Sequence, residues 1–293
     1  DQPCGKSNQV KESGNNMRDY WGYAGKVCVV TGVSSGMGKA TAEMLLDLGA
    51  EVYGLDCVQP NDFLGKFIQV DLSQRNSIDQ AFTQIPSTID NFFGIAGLTG
   101  RSTDYTTTFL VDYTANQYIV QRYLLDRMSK GSSIGFISSS AGLRWEKPEV
   151  QESYMDFVNA DWDETIRLIE EKGLKRELGK LAYPVAKRAL NYFSAQLADE
   201  LAGRKIRVNV LLPGSTDTGM TDDFVQSLGS MERLVQYTGG GRLATPEEMA
   251  APIVFLGSEM ASYISGVDLV VDYALNAGML TGRKPDMYLP RKR

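Results

Sequence analysis

The chain has 293 residues, 43% of them hydrophobic and 23% charged, which is enough for one large globular domain or two small ones. Its net charge of −6 is unlike that of a nucleic-acid-binding surface, and no run approaches the roughly 18 apolar residues of a membrane span, so we expect neither partner. Histidine is absent, which excludes a Ser-His-Asp triad, a Cys-His pair and a His-ligated zinc site, and we predict no metal.

Short apolar runs alternate with helical patterns along the chain. In order, the predicted elements are strand Lys26–Thr31, helix Lys39–Leu48, strand Glu51–Asp56, strand Lys66–Val70, helix Ser77–Ile85, strand Asn91–Ala96, helix Thr107–Met128, strand Ser133–Ser138, helix Ala182–Leu201, strand Ile206–Leu212, helix Pro246–Gly257 and strand Asp268–Asp272. This alternation predicts the α/β class, a Rossmann-type doubly wound parallel sheet of about seven strands in a single domain.

The ends of the chain differ in composition from this domain. Residues 1–23 are polar and without a clear period, typical of an extension or an added tag, so the domain is assigned to 24–282 and a tail to 283–293. The three cysteines, Cys4, Cys28 and Cys57, are too few and too uneven for a disulfide framework. They fit a reducing compartment, and with no secretion signal at the start we predict a cytoplasmic protein.

A glycine-rich turn joins the first predicted strand to the first helix. In Thr31–Gly38, Gly32 allows the tight turn, Gly36 the close approach of a phosphate, and Gly38 the close packing of helix on strand. The exposed N–H groups and the positive end of the helix dipole favour an anion, which predicts a dinucleotide pyrophosphate here. Further contacts are expected from the other residues of the turn, Ser34, Ser35 and Met37.

Asp56 ends the second predicted strand, where it would select the dinucleotide. A carboxylate at this place accepts hydrogen bonds from the adenosine ribose and repels a 2′-phosphate. Its neighbours Cys57 and Val58 bring no basic group, and Lys39 is the nearest one in the sequence. The pattern therefore favours NAD(H) over NADP(H).

Tyr183 and Lys187 lie four residues apart in the predicted helix Ala182–Leu201, so the phenol and the ammonium are one helical turn from each other. In a chain that already has a dinucleotide turn, this pair indicates hydride transfer with a tyrosine as the acid or base.

These motifs, in this order, resemble the short-chain dehydrogenase/reductase family over about residues 25–282, nearest to its bacterial 3α-hydroxysteroid dehydrogenase/carbonyl reductase branch. The matching segments are Thr31–Gly38, Asp71–Leu72, Ala96–Gly97, Ser138–Gly142, Tyr183–Lys187 and Pro213–Thr218. The resemblance implies cofactor contacts from Gly32, Ser34, Ser35, Gly36, Met37, Gly38, Asp56, Asp71, Leu72, Ala96, Gly97, Tyr183, Lys187, Pro213, Gly214, Thr216 and Thr218.

The resemblance also implies catalytic roles for Ser139, Tyr183, Lys187 and Asp112. Ser139 would orient the substrate oxygen, and Tyr183 would exchange a proton with it while hydride moves to or from NAD. Lys187 would lower the pKa of the phenol and bond the nicotinamide ribose.

The sequence departs from the family pattern at several positions. Asp112 stands where the family has a helix asparagine; a carboxylate cannot donate as an amide does, but it can pair with Lys187. Asn116, one turn on, is a candidate substitute. Ile95 replaces the first residue of the family's NAG motif, and Val271–Ala274 reads VDYA in place of VDGG.

An insertion of about residues 144–181 separates Ser139 from Tyr183. Within it an amphipathic helix is predicted from Trp162, Ile166 and Ile169, with an ion pair between Asp163 and Arg167. Two roles remain open for the insertion. The first is structural, as a cover for the core or an oligomer contact, and the second is functional, as a wall of the substrate pocket.

The apolar residues after Pro213–Thr218 also admit two roles, core packing or the family's mobile substrate loop, in the segment Met220–Gly241. Under the second role Met220, with Leu143 and Trp145, lines an apolar pocket. Such a pocket suits a hydrophobic cyclic alcohol or ketone, for example a hydroxysteroid or bile acid.

The leading hypothesis is therefore an NAD-dependent oxidoreductase for secondary alcohols and ketones. Two alternatives are a dehydratase or epimerase that retains its NAD, and a binding protein without catalysis. The resemblance further implies a homodimer or homotetramer.

Overall fold

The computed structural model describes residues 19–236 and 238–289. Within them seven strands form one parallel sheet in the order β3-β2-β1-β4-β5-β6-β7. The strands are β1 Val27–Thr31, β2 Glu51–Asp56, β3 Lys66–Gln69, β4 Asn91–Gly94, β5 Ser133–Ile137, β6 Arg207–Pro213 and β7 Asp268–Val271. This is the predicted doubly wound sheet, and each predicted strand corresponds to one observed strand.

The strands are stable here because helices cover both faces of the sheet. Every residue of the central strands β4, β5 and β6 is buried, as the continuous apolar runs of the sequence indicate. Cys28 alternates with Val29 along β1, so that the first faces one core cluster and the second faces the other.

Helices on the two faces hold the sheet between them. They are α1 Gly36–Asp47, α2 Arg75–Phe82, α3 Tyr105–Phe109, α4 Ala115–Ile119, α5 Leu125–Arg127, α6 Pro148–Gln151, α7 Met155–Val158, α8 Trp162–Glu171, α9 Gly179–Ala202, α10 Thr221–Leu228, α11 Met231–Gln236, α12 Pro246–Gly257 and α13 Leu275–Leu280. Helix α12 packs on α1 over one face of the sheet, and α9 packs on α3 over the other. Short 3₁₀ turns stand at Ser140–Gly142 and Glu259–Ala261.

The predicted helix Thr107–Met128 is helical along its length but contains two π-helical turns, Leu110–Thr114 between α3 and α4 and Val120–Leu124 between α4 and α5. A π-turn widens the helix by one residue and is frequent at functional sites. Asp112 is in the first of these turns.

The insertion covers the core, as the first of its two predicted roles required. Helix α8 buries Ile169, and the Trp162 ring packs edge-on against Tyr118 at 5.7 Å. The predicted Asp163–Arg167 pair is wrong. Arg167 bonds to two glutamates of its own helix, and Asp163 bonds instead to Arg75, 2.8 Å away on α2.

The domain is wider than the predicted boundaries of 24–282. Tyr23 is 1% exposed, and its hydroxyl donates to the carbonyl of Val254 on α12 at 2.6 Å. Residues 283–289 pack against the domain too, with Tyr288 and Leu289 on the core. Residues 1–18 of the predicted extension 1–23, including Cys4, and residues 290–293 of the tail lie outside the described residues. Among the residues described, no helix has the length and apolar character to cross a bilayer.

Candidate active site

A cleft of about 380 Å³ opens at the carboxyl ends of the strands, beside β1 and β4 where the strand order reverses. Most of the predicted cofactor residues line it: Gly32, Ser34, Ser35, Gly36, Met37, Gly38, Asp56, Asp71, Leu72, Ala96, Gly97 and Thr218. The structure thus brings twelve of the seventeen predicted cofactor residues together along one cleft.

Two glycines of the β1–α1 turn lie where no Cβ atom would fit. Gly32 has a φ of +81°, and a Cβ there would lie 2.9 Å from the Cα of Ala96. A Cβ on Gly38 would lie 2.0 Å from the carbonyl oxygen of Gly32. Backbone N–H groups at the start of α1 therefore border the cleft without side chains in front of them, which fits the pyrophosphate of a dinucleotide.

Asp56 is fixed at the end of β2 by backbone donors. One carboxylate oxygen accepts from the N–H of Ser34 at 2.9 Å and the other from that of Val58 at 3.1 Å. Among the described residues that line the cleft, none is Lys or Arg. Lys39 pairs with Glu43 on its own helix at 3.7 Å. The cleft thus offers a carboxylate and no described cation at the adenosine end.

The four predicted catalytic residues come together from three elements. Ser139 precedes the 3₁₀ turn after β5, and its hydroxyl is hydrogen-bonded to Tyr183. Lys187 is 3% exposed on α9, with its Nζ 5.5 Å from the centre of the Tyr183 ring and 3.8 Å from Asp112 Oδ1. A Cβ on Gly97, in the cleft wall, would lie 3.2 Å from this Nζ. The cluster therefore adjoins one end of the cleft.

Asp112 is fully buried, and its two oxygens differ. Oδ1 accepts from the N–H of Leu98 at 2.7 Å, whereas Oδ2 has no partner among the described residues. Burial raises the pKa of Asp112 to about 6, although Lys187 and the Leu98 N–H lower it. Asn116, the candidate substitute, is turned toward β4, where its Oδ1 lies 2.4 Å from the place of a Cβ on Gly94. Asp112 is therefore the residue that meets Lys187.

The pKa of Tyr183 is raised above that of a free phenol, mainly by burial and next by the charge of Asp112, while the bond from Ser139 lowers it. The lowering that Lys187 would bring together with a bound nicotinamide ring stays a prediction. An oxidised nicotinamide ring, being positive, would favour the phenolate when bound.

The segment after β6 forms part of the wall above Tyr183, where helix α10 places Phe224 with its ring centre 6.3 Å from that of Tyr183. Thr99 bonds to Asp223 and so ties α10 to the loop after β4. Met220 lines the cleft, while Leu234 on α11 is buried. The core role is thus present at Leu234, the contact of Met220 with a substrate stays a prediction, and Tyr237 is outside the described residues.

Two predicted substrate residues lie elsewhere. Trp145 donates its indole N–H to Asp268 at 2.6 Å and packs edge-on against Tyr192, about 13 Å along α9 from Tyr183. Leu143 is 6% exposed and belongs to the hydrophobic core. Neither residue lines the cleft.

The Pro213–Thr218 segment follows β6 at the same edge of the sheet. Gly214 donates its N–H to the carbonyl of Val271, and Thr216 bonds back to Gly214 at 3.0 Å. Gly214 borders a second cavity of about 340 Å³. Pro213, Gly214 and Thr216, predicted as cofactor contacts, do not line the cleft itself; only Thr218 of this segment does.

Sequence reasoning missed several residues of the cleft: Leu55, Val70, Ser73, Leu98, Thr107, Val111 and Gly219. Leu55 and Val70 each precede a predicted cofactor residue, Asp56 and Asp71, so their place in the sequence could have identified them. Leu98, Thr107 and Val111 reach the cleft from the loop and helices after β4, which no motif marked.

The fold and the site define a nicotinamide-dependent oxidoreductase. A doubly wound sheet places a glycine-rich turn and the Asp56 carboxylate along one cleft, and a Ser–Tyr–Lys cluster lies at its end.

Comparison with known proteins agrees with the assignment to the nicotinamide-dependent oxidoreductases. Residues 28–157 match the family described as NAD dependent epimerase/dehydratase, and residues 171–276 match the one described as enoyl-(acyl carrier protein) reductase. The chain is 33% identical to coniferyl-alcohol dehydrogenase of Pseudomonas sp. (strain HR199 / DSM 7063), over 85% of this chain and 96% of that one. It is 28% identical to the 3-oxoacyl-[acyl-carrier-protein] reductase FabG of Chlamydia muridarum, over 84% and 96%.

Among solved structures, 3-alpha-hydroxysteroid dehydrogenase from Pseudomonas sp. B-0831 complexed with NADH superposes with a TM-score of 0.73 at 24% identity, over 89% of this chain and all of that one. At this identity the likeness shows the fold. The 33% identity to coniferyl-alcohol dehydrogenase over most of both chains shows the family: the chain belongs to the short-chain dehydrogenases/reductases.

Proposed function

We propose that the protein is an NAD-dependent alcohol dehydrogenase that interconverts a secondary alcohol and a ketone on a hydrophobic, ring-containing substrate. One observation carries the reaction: Ser139, Tyr183 and Lys187 meet beside the cleft that ends at Gly97. Bound NAD would accept or return the hydride. Ser139 would hold the substrate oxygen while Tyr183 exchanges its proton, and Lys187 would bond the nicotinamide ribose.

Asp112 influences the protonation states of both Lys187 and Tyr183. A carboxylate 3.8 Å from Lys187 Nζ stabilises the ammonium and opposes the Tyr183 phenolate. Since the pKa of Asp112 is about 6, the carboxyl carries a charge in neutral solution and loses it in mild acid. The protonation state of Tyr183 in the working enzyme therefore depends on Asp112 as well as on Lys187.

The choice of NAD over NADP is supported by Asp56. Its carboxylate faces the adenosine end of the cleft, and no described lining residue carries the positive charge that a 2′-phosphate needs. We expect kcat/KM for NAD to be at least about tenfold higher than that for NADP. This ratio corresponds to roughly 1.4 kcal/mol, the size of the repulsion between the Asp56 carboxylate and a 2′-phosphate.

The substrate class is supported by the apolar groups above the cleft. Phe224 and Met220 stand where a bound alcohol would lie against Tyr183. A hydroxysteroid or bile acid fits such walls. A second candidate is an aryl allylic alcohol, favoured by the 33% identical coniferyl-alcohol dehydrogenase, because its planar ring can pack on Phe224.

The test is the appearance of NADH absorbance with NAD, and separately with NADP, across hydroxysteroids, bile acids, coniferyl alcohol and simple cyclic alcohols. Tyr183→Phe should abolish turnover and leave NADH affinity nearly unchanged, since the phenol acts on the substrate. Tyr263→Phe, a change at a fully exposed tyrosine, is the matched control. Turnover that persists in Tyr183→Phe would refute the mechanism.

The two alternatives give different results in the same assay. An NAD-retaining dehydratase or epimerase would convert an alcohol without a stoichiometric yield of NADH, and a binding protein would bind NAD without turnover.

We further propose a cytoplasmic homodimer or homotetramer, and light scattering of the purified chain measures its oligomeric state directly.

A further inference from the structure

The segment between β4 and α3 runs from the cofactor cleft to the end of the insertion, and its residues 98–104 are here named the β4 loop. At the start of the loop, Leu98 lines the cleft and donates its N–H to the fully buried Asp112 at 2.7 Å. At the other end, Asp104 forms an antiparallel bridge with Leu178 of the insertion. Both ends of the β4 loop are therefore attached to the domain.

The middle of the β4 loop packs on the first turn of α9. A Cβ on Gly100 would lie 2.0 Å from the carbonyl carbon of Gly179, so the two backbones are in direct contact. The N–H of Gly179 also donates to the carbonyl of Thr103 at 3.0 Å. The loop is thus fixed against the helix that carries Tyr183.

Helix α10, which stands above Tyr183, has little apolar packing of its own. Of its eight residues only Thr221 is buried. Two polar bonds reach it from the β4 loop. The Thr99 hydroxyl donates to the Asp223 carboxylate, and the Arg101 guanidinium donates to Ser227 at 3.3 Å. Asp223 and Ser227 are one helical turn apart, so both bonds hold α10 by the same side.

The bond between Thr99 and Asp223 is the stronger of the two. It is partly buried and its acceptor is charged, whereas the second bond is exposed and joins a neutral acceptor. The Thr99 hydroxyl also accepts from the N–H of Arg101 at 3.4 Å, which leaves its own proton for Asp223. Phe224 follows Asp223 directly, and its ring centre lies 6.3 Å from that of Tyr183. The bond therefore fixes the backbone next to the ring that faces the catalytic phenol.

We propose that Thr99 and Asp223 are positioning residues that keep the Phe224 wall of the alcohol pocket in place before the substrate binds. The inference rests on the proposed dehydrogenase function. A substrate that meets a wall already in place does not have to order it, so its apparent affinity is not reduced by a fraction of open molecules. The catalytic residues belong to other elements, so the chemical step does not depend on this bond.

The experiment measures kcat and KM for cyclohexanol at saturating NAD. Thr99→Val keeps the shape of the side chain and removes the hydroxyl. It should raise KM about tenfold, the effect of a wall that is in place in about a tenth of the molecules, and leave kcat within about twofold. Asp223→Ala should do the same, and the double variant should be no worse than either single one, because all three lack one and the same bond.

Two further variants separate this bond from a general effect on α10. Asp223→Asn keeps an acceptor oxygen and should restore KM to within about threefold of the wild type. The matched control is Asp222→Ala, which removes an exposed carboxylate from the same first turn of α10 and should leave KM unchanged. NADH affinity, measured by fluorescence, should stay the same in all of these variants, since the bond lies outside the cofactor cleft.

A readout without substrate distinguishes failure of this inference from failure of the proposed function. Hydrogen–deuterium exchange of the α10 amides should rise about fivefold in Thr99→Val and stay unchanged in Asp222→Ala. An unchanged KM or an unchanged exchange rate in Thr99→Val overturns the inference, as does a rise in KM that Asp222→Ala shares. A wild type without turnover refutes the proposed function instead, and the exchange of α10 then decides whether the bond positions this wall.

Discussion

Replacement of the buried carboxylate Asp112 by its neutral isostere is expected to stabilise the protein. The pKa of Asp112 is raised from 3.8 to about 6, so an ionised Asp112 is disfavoured by about 3 kcal/mol relative to its protonated form. The stabilising contribution of the group is therefore complete below pH 3.8 and is lost as the pH rises through about 6. Asp112→Asn resembles the protonated form at every pH.

The size of the expected stabilisation by Asp112→Asn depends on pH. At pH 8 Asp112→Asn should raise the free energy of unfolding by up to about 3 kcal/mol, and near pH 5 the gain should fall to roughly half of that. For a chain of this size, the gain at pH 8 corresponds to a rise in Tm of about 5 °C. The Oδ1 bond from Leu98 can be kept by an amide oxygen, so no backbone partner is lost.

The assay is urea unfolding followed by far-ultraviolet circular dichroism at both pH values, with Asp47→Asn, at an exposed carboxylate, as the control. A variant less stable than the wild type at pH 8 would refute the reasoning, because the Asp112–Lys187 pair would then be net stabilising. A gain of equal size at both pH values would also contradict it, since titration would not be its source.

Two further predictions concern close packing and a buried hydrogen bond. Gly38→Ala should weaken NADH binding at least tenfold, or prevent folding, because its Cβ meets backbone at 2.0 Å; Gly203→Ala, where the Cβ meets nothing, is the control in the same fluorescence titration. Tyr23→Phe should lower the free energy of unfolding by about 1 kcal/mol in urea, since it removes the bond to Val254, whereas Tyr263→Phe should have no effect.

The seven-stranded parallel sheet and the turn residues that line the cleft could be predicted from the sequence because both depend on local patterns. An apolar run such as β1, the glycine turn after it and Asp56 at the next strand end are neighbours in the chain, and parallel pairing brings their carboxyl ends to one edge. The catalytic pair Tyr183 and Lys187 was equally local, one helical turn on α9.

What the sequence could not predict depends on contacts between distant segments. The π-turn around Asp112 has no local signature in the helical pattern. Trp145 is a predicted pocket residue, but its indole N–H donates to Asp268, 123 residues away in the sequence. The Arg144–Asp286 pair spans 142 residues, so the packing of the predicted tail against the domain could not be recognised from the sequence.

The bond between Tyr23 and Val254 has a consequence for how the chain acquires its structure during synthesis. The two residues are 231 positions apart, so this contact cannot form until α12 has left the ribosome. By then β1 to β6 have emerged, and the first strand can pair with its neighbours while its leading segment stays unanchored. Resistance of the N-terminal segment to proteases should therefore appear late, after the sheet is largely assembled.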